Sequence, residues 1–61
     1  MYRVHLTTGA TVLIPDFEVG RIRDAMRSRS ALLVECTGAT QGGSNKKVQI
    51  NPAHVVFLEQ Q

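Results

Sequence analysis

The feature that most constrains the fold is the closing segment, Val48-Gln49-Ile50-Asn51-Pro52-Ala53-His54-Val55-Val56-Phe57-Leu58-Glu59. It is dense in β-branched and aromatic residues, the types that suit a pleated, half-buried surface. Pro52 has no N–H to give to a strand ladder, so Asn51-Pro52 breaks the pairing and turns the chain. Two strands are expected on either side of that corner, over residues 46–50 and 53–59. Neither face of the second is purely polar: simple alternation points Val55 and Phe57 one way, Val56 and Leu58 the other. A small sheet can cover one face with its own helix. The other apolar face calls for a second subunit, which makes Val55, Val56, Phe57 and Leu58 the candidate oligomer interface.

The rest of the chain supplies the remaining elements. Tyr2, Val4 and Leu6 alternate with Arg3, His5 and Thr7, the mark of a half-buried strand. Thr8-Gly9 is a turn signal, and residues 10–14 resume in β-branched residues, so the opening reads as a hairpin. Pro15-Asp16 ends it and begins a helix over about residues 17–28, with Asp16 as the expected N-cap and Glu18 favoured by the helix dipole. Val19, Ile22, Ala25 and Met26 form one apolar stripe at helical spacing. Gly20 costs about 1 kcal/mol relative to alanine, so the helix is expected to depend on docking to the sheet.

Residues 31–36 read as a third strand, apolar on both faces and therefore central. Gly38 to Asn45 holds three glycines and no large apolar side chain, and reads as a long hairpin tip. The expected fold class is α+β: a small antiparallel sheet or partly open barrel, order β-β-α-β-β-β, with one helix packed on the sheet and residues 1–61 as a single domain.

Sixty-one residues make a marginal core. A chain of this size buries only about 60% of the surface its unfolded form exposes, and small folds compensate with disulfides, a metal or self-association. The lone Cys36 can make no internal disulfide, and no Cys/His cluster offers a zinc site. Self-association is the remaining device, so a homo-oligomer is expected. No stretch approaches the roughly 20 apolar residues of a membrane span, and the alternating N-terminus does not resemble a signal peptide. A cytoplasmic location is the expectation.

Chemistry is sparse. Two histidines, one cysteine and five carboxylates form the whole catalytic inventory. Cys36 at the end of an apolar strand is expected to be a packed thiol, not a nucleophile served by His54. His5 and His54 fall short of the three or four ligands a metal needs. No catalytic, metal or cofactor site is expected. Gly42-Gly43-Ser44-Asn45-Lys46-Lys47 lacks the order of a phosphate loop and precedes a strand, although its glycines and lysines could still wrap an anion.

The net charge of +2 is too small to imply nucleic-acid binding, but four of the seven basic residues fall between Arg21 and Arg29. Arg23 and Arg27 share a helical face. With Lys46 and Lys47 they are the candidate anion- or partner-binding residues, against the plainer reading of a solvated face. Tyr2 and Phe57 are expected to pack in the core instead of stacking on bases.

The layout Tyr2-Arg3-Val4-His5-Leu6-Thr7-Thr8-Gly9, then a helix, then Ile50-Asn51-Pro52-Ala53-His54-Val55-Val56-Phe57-Leu58-Glu59, resembles a group of very small bacterial and phage proteins. These carry a Gly-turn strand pair, one helix and a closing "INxxHIxxIE"-type strand. The resemblance implies an accessory protein, regulatory more often than enzymatic. It carries over no functional residue, and the long glycine-rich tip departs from the group's shorter hairpin.

The expected function is therefore a small non-enzymatic binding or regulatory module, a homo-oligomer acting through protein contacts. Two alternatives stand beside it. One is a nucleic-acid-binding regulator using the basic helix edge with Lys46 and Lys47. The other is a capture protein for a small anionic ligand such as a nucleotide.

Overall fold

The fold is that of a computed structural model, which describes residues 1–40 and 43–61. Its elements run β1 (Tyr2–Leu6), β2 (Thr11–Ile14), α1 (Asp16–Arg27), β3 (Val34–Thr40), β4 (Lys46–Ile50), a 3-10 turn (Pro52–His54) and β5 (Val55–Gln60). All five strands join one antiparallel sheet in the order β4-β3-β2-β1-β5. The α+β class and the order of strands and helix agree with the sequence reading.

The sheet curls. Laid flat, β4 and β5 would lie four strand spacings apart, about 19 Å. Only Asn51 to His54 separate Ile50 from Val55, and five residue steps span at most about 18 Å even when fully extended. Several of those steps are already shortened by the 3-10 turn, which Asn51 stabilises by accepting the Ala53 N–H on Oδ1 at 3.0 Å. The two edges can be linked this way only if the sheet bends around its core face. It does so without closing.

The core lies inside the curl: Val4, Val12, Ile14, Cys36, Ile50 and Val55 from the strands, Val19 and Ile22 from α1. The helical stripe expected from Val19, Ile22, Ala25 and Met26 is buried at its first two members and half-buried at the last two.

Several boundaries differ from expectation, each for a physical reason. Pro15, not Asp16, is the N-cap, and no side chain caps the helix. The extended backbone that proline imposes places Asp16 in the first turn, where its carboxylate pairs with the Met1 ammonium group. At the other end Ser28 is the C-cap. Arg29 follows with φ of 54°, and the Arg29 and Ser30 amides donate to Met26 and Ala25 carbonyls. That is a Schellman ending with arginine in the left-handed position that glycine usually takes.

The third strand starts at Val34, not at residue 31, and runs on to Thr40. Leu32 and Leu33 stay exposed in the connection, since the chain leaving the Schellman turn must first cross back to the sheet. Of the expected hairpin tip, Gly38 to Thr40 belongs to β3, and Gln41 and Gly42 lie outside the described residues.

β3 meets β2 over a short seam, Val12↔Thr40 and Leu13↔Ala39. Beyond it β2 has ended, and α1 takes over. Glu18 accepts the Thr37 N–H at 2.7 Å and Arg21 donates to the Glu35 carbonyl at 3.0 Å. Two helix side chains thus satisfy β3 backbone groups on the side where β2 no longer pairs, which explains why Glu18 is buried.

Candidate interaction surface

Alternation sends Arg3 and His5 of β1, Thr11 and Leu13 of β2, Ala39 of β3, and Phe57 and Glu59 of β5 to the face opposite the helix. Register brings them together, since His5 faces Phe57 and Arg3 faces both Glu59 and Leu13. The His5 and Phe57 rings stack with centroids 4.0 Å apart and planes 14° from parallel. His5 Nε2 lies 3.0 Å from Glu59 Oε1, which fixes the imidazole over its neighbour. Beside this cluster is a hollow of about 440 Å³ bordered by Arg3, His5, Leu13, Ala39 and Gly43. Its lining mixes the polar side chains of Arg3, His5, Thr11 and Thr40 with the apolar ones of Leu13 and Ala39.

The expected oligomer segment divides. Register shifts between His5 and Leu6, where a β-bulge places Val55 against Leu6. The extra residue overturns simple alternation along Val55 to Leu58. Val55 is buried in the core and Leu58 packs against it. Val56 and Phe57 remain 57% and 50% exposed. The expected pairing of Val55 with Phe57 on one face is therefore incorrect, and so is the placement of Phe57 in the core. Tyr2 does pack against the core.

The basic candidates do not converge. Arg23 is engaged within the chain, its guanidinium 5.0 Å from the Tyr2 ring centroid and its Nη2 donating to the Tyr2 hydroxyl at 3.1 Å. Arg27 lies 3.8 Å from Asp24 in an exposed pair, of the kind that contributes little. Lys46 and Lys47 stand on β4, three strands from the β1 that carries Tyr2.

The remaining chemical candidates are also apart. Cys36 is buried beneath the helix, and its thiol is pushed above the ordinary value near 9.0, first by burial and then by the Glu18 carboxylate, with Arg21 opposing and Glu35 adding a further push. His54 Nδ1 is 3.3 Å from the Thr7 hydroxyl, holding the corner before β5. Among the described residues no group of three metal-binding side chains assembles, and no helix is long and apolar enough to cross a membrane.

Three features escaped the sequence reading: the His5–Phe57–Glu59 cluster, the Glu18–Thr37 bond and the Arg21–Glu35 bond. Only the first left a trace, in that Arg3 and His5 alternate with the core residues of β1. Its partners could be identified only once β5 was known to pair with β1. Comparison with known proteins finds no matching family model, no similar curated protein and no similar solved structure.

Proposed function

We propose that this chain is a small non-enzymatic binding module that works as a homo-oligomer through protein contacts. The observation that carries the reading is the β5 side of the sheet. There Val56 and Phe57 are half-exposed apolar residues on a strand that has, among the described residues, no strand on its outer side. Such an edge invites a partner strand, and a 61-residue chain gains most from one. Binding requires only a shaped surface, and the open face with its stacked His5 and Phe57 supplies one. The test is a native mass measurement of protein purified from its own host. A homo-oligomer free of nucleic acid is expected, and a monomer with nothing bound would overturn the reading.

One observation favours a second reading, capture of a small anionic ligand. Arg3 borders the hollow beside Gly43 and makes no ion pair with any described residue. A thermal shift on adding nucleotides would support that role, and a flat response across a broad nucleotide panel would remove it. Nucleic-acid binding has less behind it, because Arg23 is already engaged with Tyr2 inside the chain. It requires an affinity that falls steeply with salt.

A further inference from the structure

An arginine borders each of two hollows on the surface. The smaller, about 250 Å³ between the end of α1 and the 3-10 turn, sets Arg29 beside Ala25, Met26 and Pro52 and has no aromatic side chain. The larger, about 440 Å³ on the open face, brings Arg3 together with His5. Of the two, only the larger falls within the roughly 300–1,000 Å³ usual for a small-molecule site.

The His5 ring is held on two sides. Phe57 stacks on one face from β5, with centroids 4.0 Å apart, and Glu59 meets Nε2 at 3.0 Å. Since Phe57 approaches from the β5 side of β1, the opposite face of the imidazole looks toward β2. There Thr11 and Leu13 border the hollow. That face is a flat platform already fixed in place, so a ring stacking on it immobilises little that was free.

Arg3 stands two residues away on the same face of β1, about 7 Å along the strand. In register it lies between Glu59 on β5 and Leu13 on β2. Glu59 is held by His5, and the hollow lies on the Leu13 side. An anion there meets the guanidinium with the carboxylate on its far side. Thr11 and Thr40 add hydroxyls to the lining.

We infer that this hollow takes a nucleoside monophosphate, its base stacked on the open face of His5 and its phosphate paired with Arg3. This rests on the capture reading above and names the ligand class and the residue that meets each part. The spacing of platform and cation suits a ligand whose ring and anion are separated by a sugar, with threonine hydroxyls beside it. A compact aromatic carboxylate, whose charge adjoins its ring, does not span it. One arginine matches one phosphate group, and that pairing can be bidentate. Stacking accepts any base, because every base has a π-face.

Amide NMR titration of the wild-type protein with adenosine monophosphate, adenosine, ribose phosphate and benzoate tests this. The monophosphate is expected to shift the Arg3, His5, Thr11 and Leu13 amides. It should bind about tenfold tighter than adenosine or ribose phosphate, the scale of one charge-assisted pair or one stack. Any of the other three probes binding as tightly overturns the inference, and where that probe is ribose phosphate or benzoate, anion capture still stands. Shifts centred on Lys46 and Lys47 instead of the hollow have the same meaning. No response to any of the four probes also overturns it, and a flat response across the broad nucleotide panel removes the capture reading with it.

Two substitutions separate the parts. Arg3→Gln is expected to weaken the monophosphate about tenfold and leave adenosine unchanged. His5→Ala should bring the monophosphate down to about the affinity of ribose phosphate. Loss of adenosine binding in the first variant, or wild-type affinity for the monophosphate in either, overturns the assignment. Amide spectra unchanged outside the hollow show that each variant is folded.

Discussion

The two halves of the sheet are held in different ways. β5 is laced to β1 along its length, from Tyr2↔Gln60 to Leu6↔Val55, and β1 to β2 from Tyr2↔Ile14 to His5↔Thr11. The β3–β4 hairpin is equally well laced within itself, from Val34↔Ile50 to Gly38↔Lys46. Yet it joins the rest through only Val12↔Thr40 and Leu13↔Ala39. What the seam lacks in strand pairing is supplied by α1, through Glu18 and Arg21. One half is therefore stabilised by ladder hydrogen bonds, the other by packing and by two side chains of a helix. The second arrangement is the more easily loosened by a single substitution.

The largest expected effect lies at Gly38, where the hairpin passes beneath β2. A Cβ there would stand 2.8 Å from Val12 Cγ1, 3.0 Å from the Leu13 carbonyl oxygen and 3.2 Å from Ile14 Cγ2. The first and last neighbours are side-chain atoms of core residues, and the second is backbone, so the strain is not relieved by a rotamer change. Gly38→Ala is expected to destabilise by about 1–3 kcal/mol, the usual cost of overpacking, measured by urea denaturation. An unchanged midpoint would show that the seam is softer than its geometry.

Glu18→Ala comes next. It leaves the Thr37 N–H without its acceptor and is expected to cost about 1–2 kcal/mol, somewhat softened because water can reach the exposed side of β3. Amide exchange should then show β3 and β4 opening at lower free energy than β1 and β5. If all strands lose protection together, the two halves are one cooperative unit.

Arg29→Gly acts in the opposite direction, on the connection that delivers the chain to the hairpin. A residue with a Cβ in the left-handed region costs about 1–2 kcal/mol. Glycine avoids that cost but loses about 0.5–1 kcal/mol through its larger unfolded-state entropy. A net gain of about 0.5–1 kcal/mol follows from the difference, visible as a raised Tm.

These asymmetries also mark what could be read from the residues beforehand. Alternation in Tyr2 to Leu6, the Gly9 turn and the Asn51-Pro52 corner are local signals, and the elements they announce are in place. The apolar stripe of α1 was legible for the same reason. Glu18 was legible only as a charge favoured by the helix dipole. Its bond to Thr37 depends on where β2 stops relative to β3, which no local pattern contains.

Leu32 and Leu33 misled because an apolar run marks burial only if the backbone is already on the sheet, and here it is still returning from the helix. Along β5, a single bulge reversed the side on which Phe57 lies. The His5–Phe57–Glu59 cluster was hidden by that bulge and by the long-range pairing of the first strand with the last. Local chemistry determined the elements, while the open face came from register.

The smallest expected effect uses Cys36, which sits in β3 on the side covered by α1. Its thiol is raised above the ordinary value near 9.0, chiefly by burial and then by Glu18. Below about pH 9 the thiol is neutral in both the folded and the unfolded chain, and folding is not penalised. Above it the unfolded chain ionises first and so binds fewer protons than the native one. Stability must then fall with rising pH until the folded thiol also ionises. Cys36→Ala removes this slope.

Urea midpoints followed from neutral into alkaline pH should therefore drop more steeply in the wild type than in the variant. Parallel profiles would mean that the thiol ionises in place without loosening the hairpin. The early loss should appear in β3 and β4 amides, because Cys36 lies where the weakly seamed half depends on the helix, and because a thiolate there would face the Glu18 carboxylate that holds Thr37.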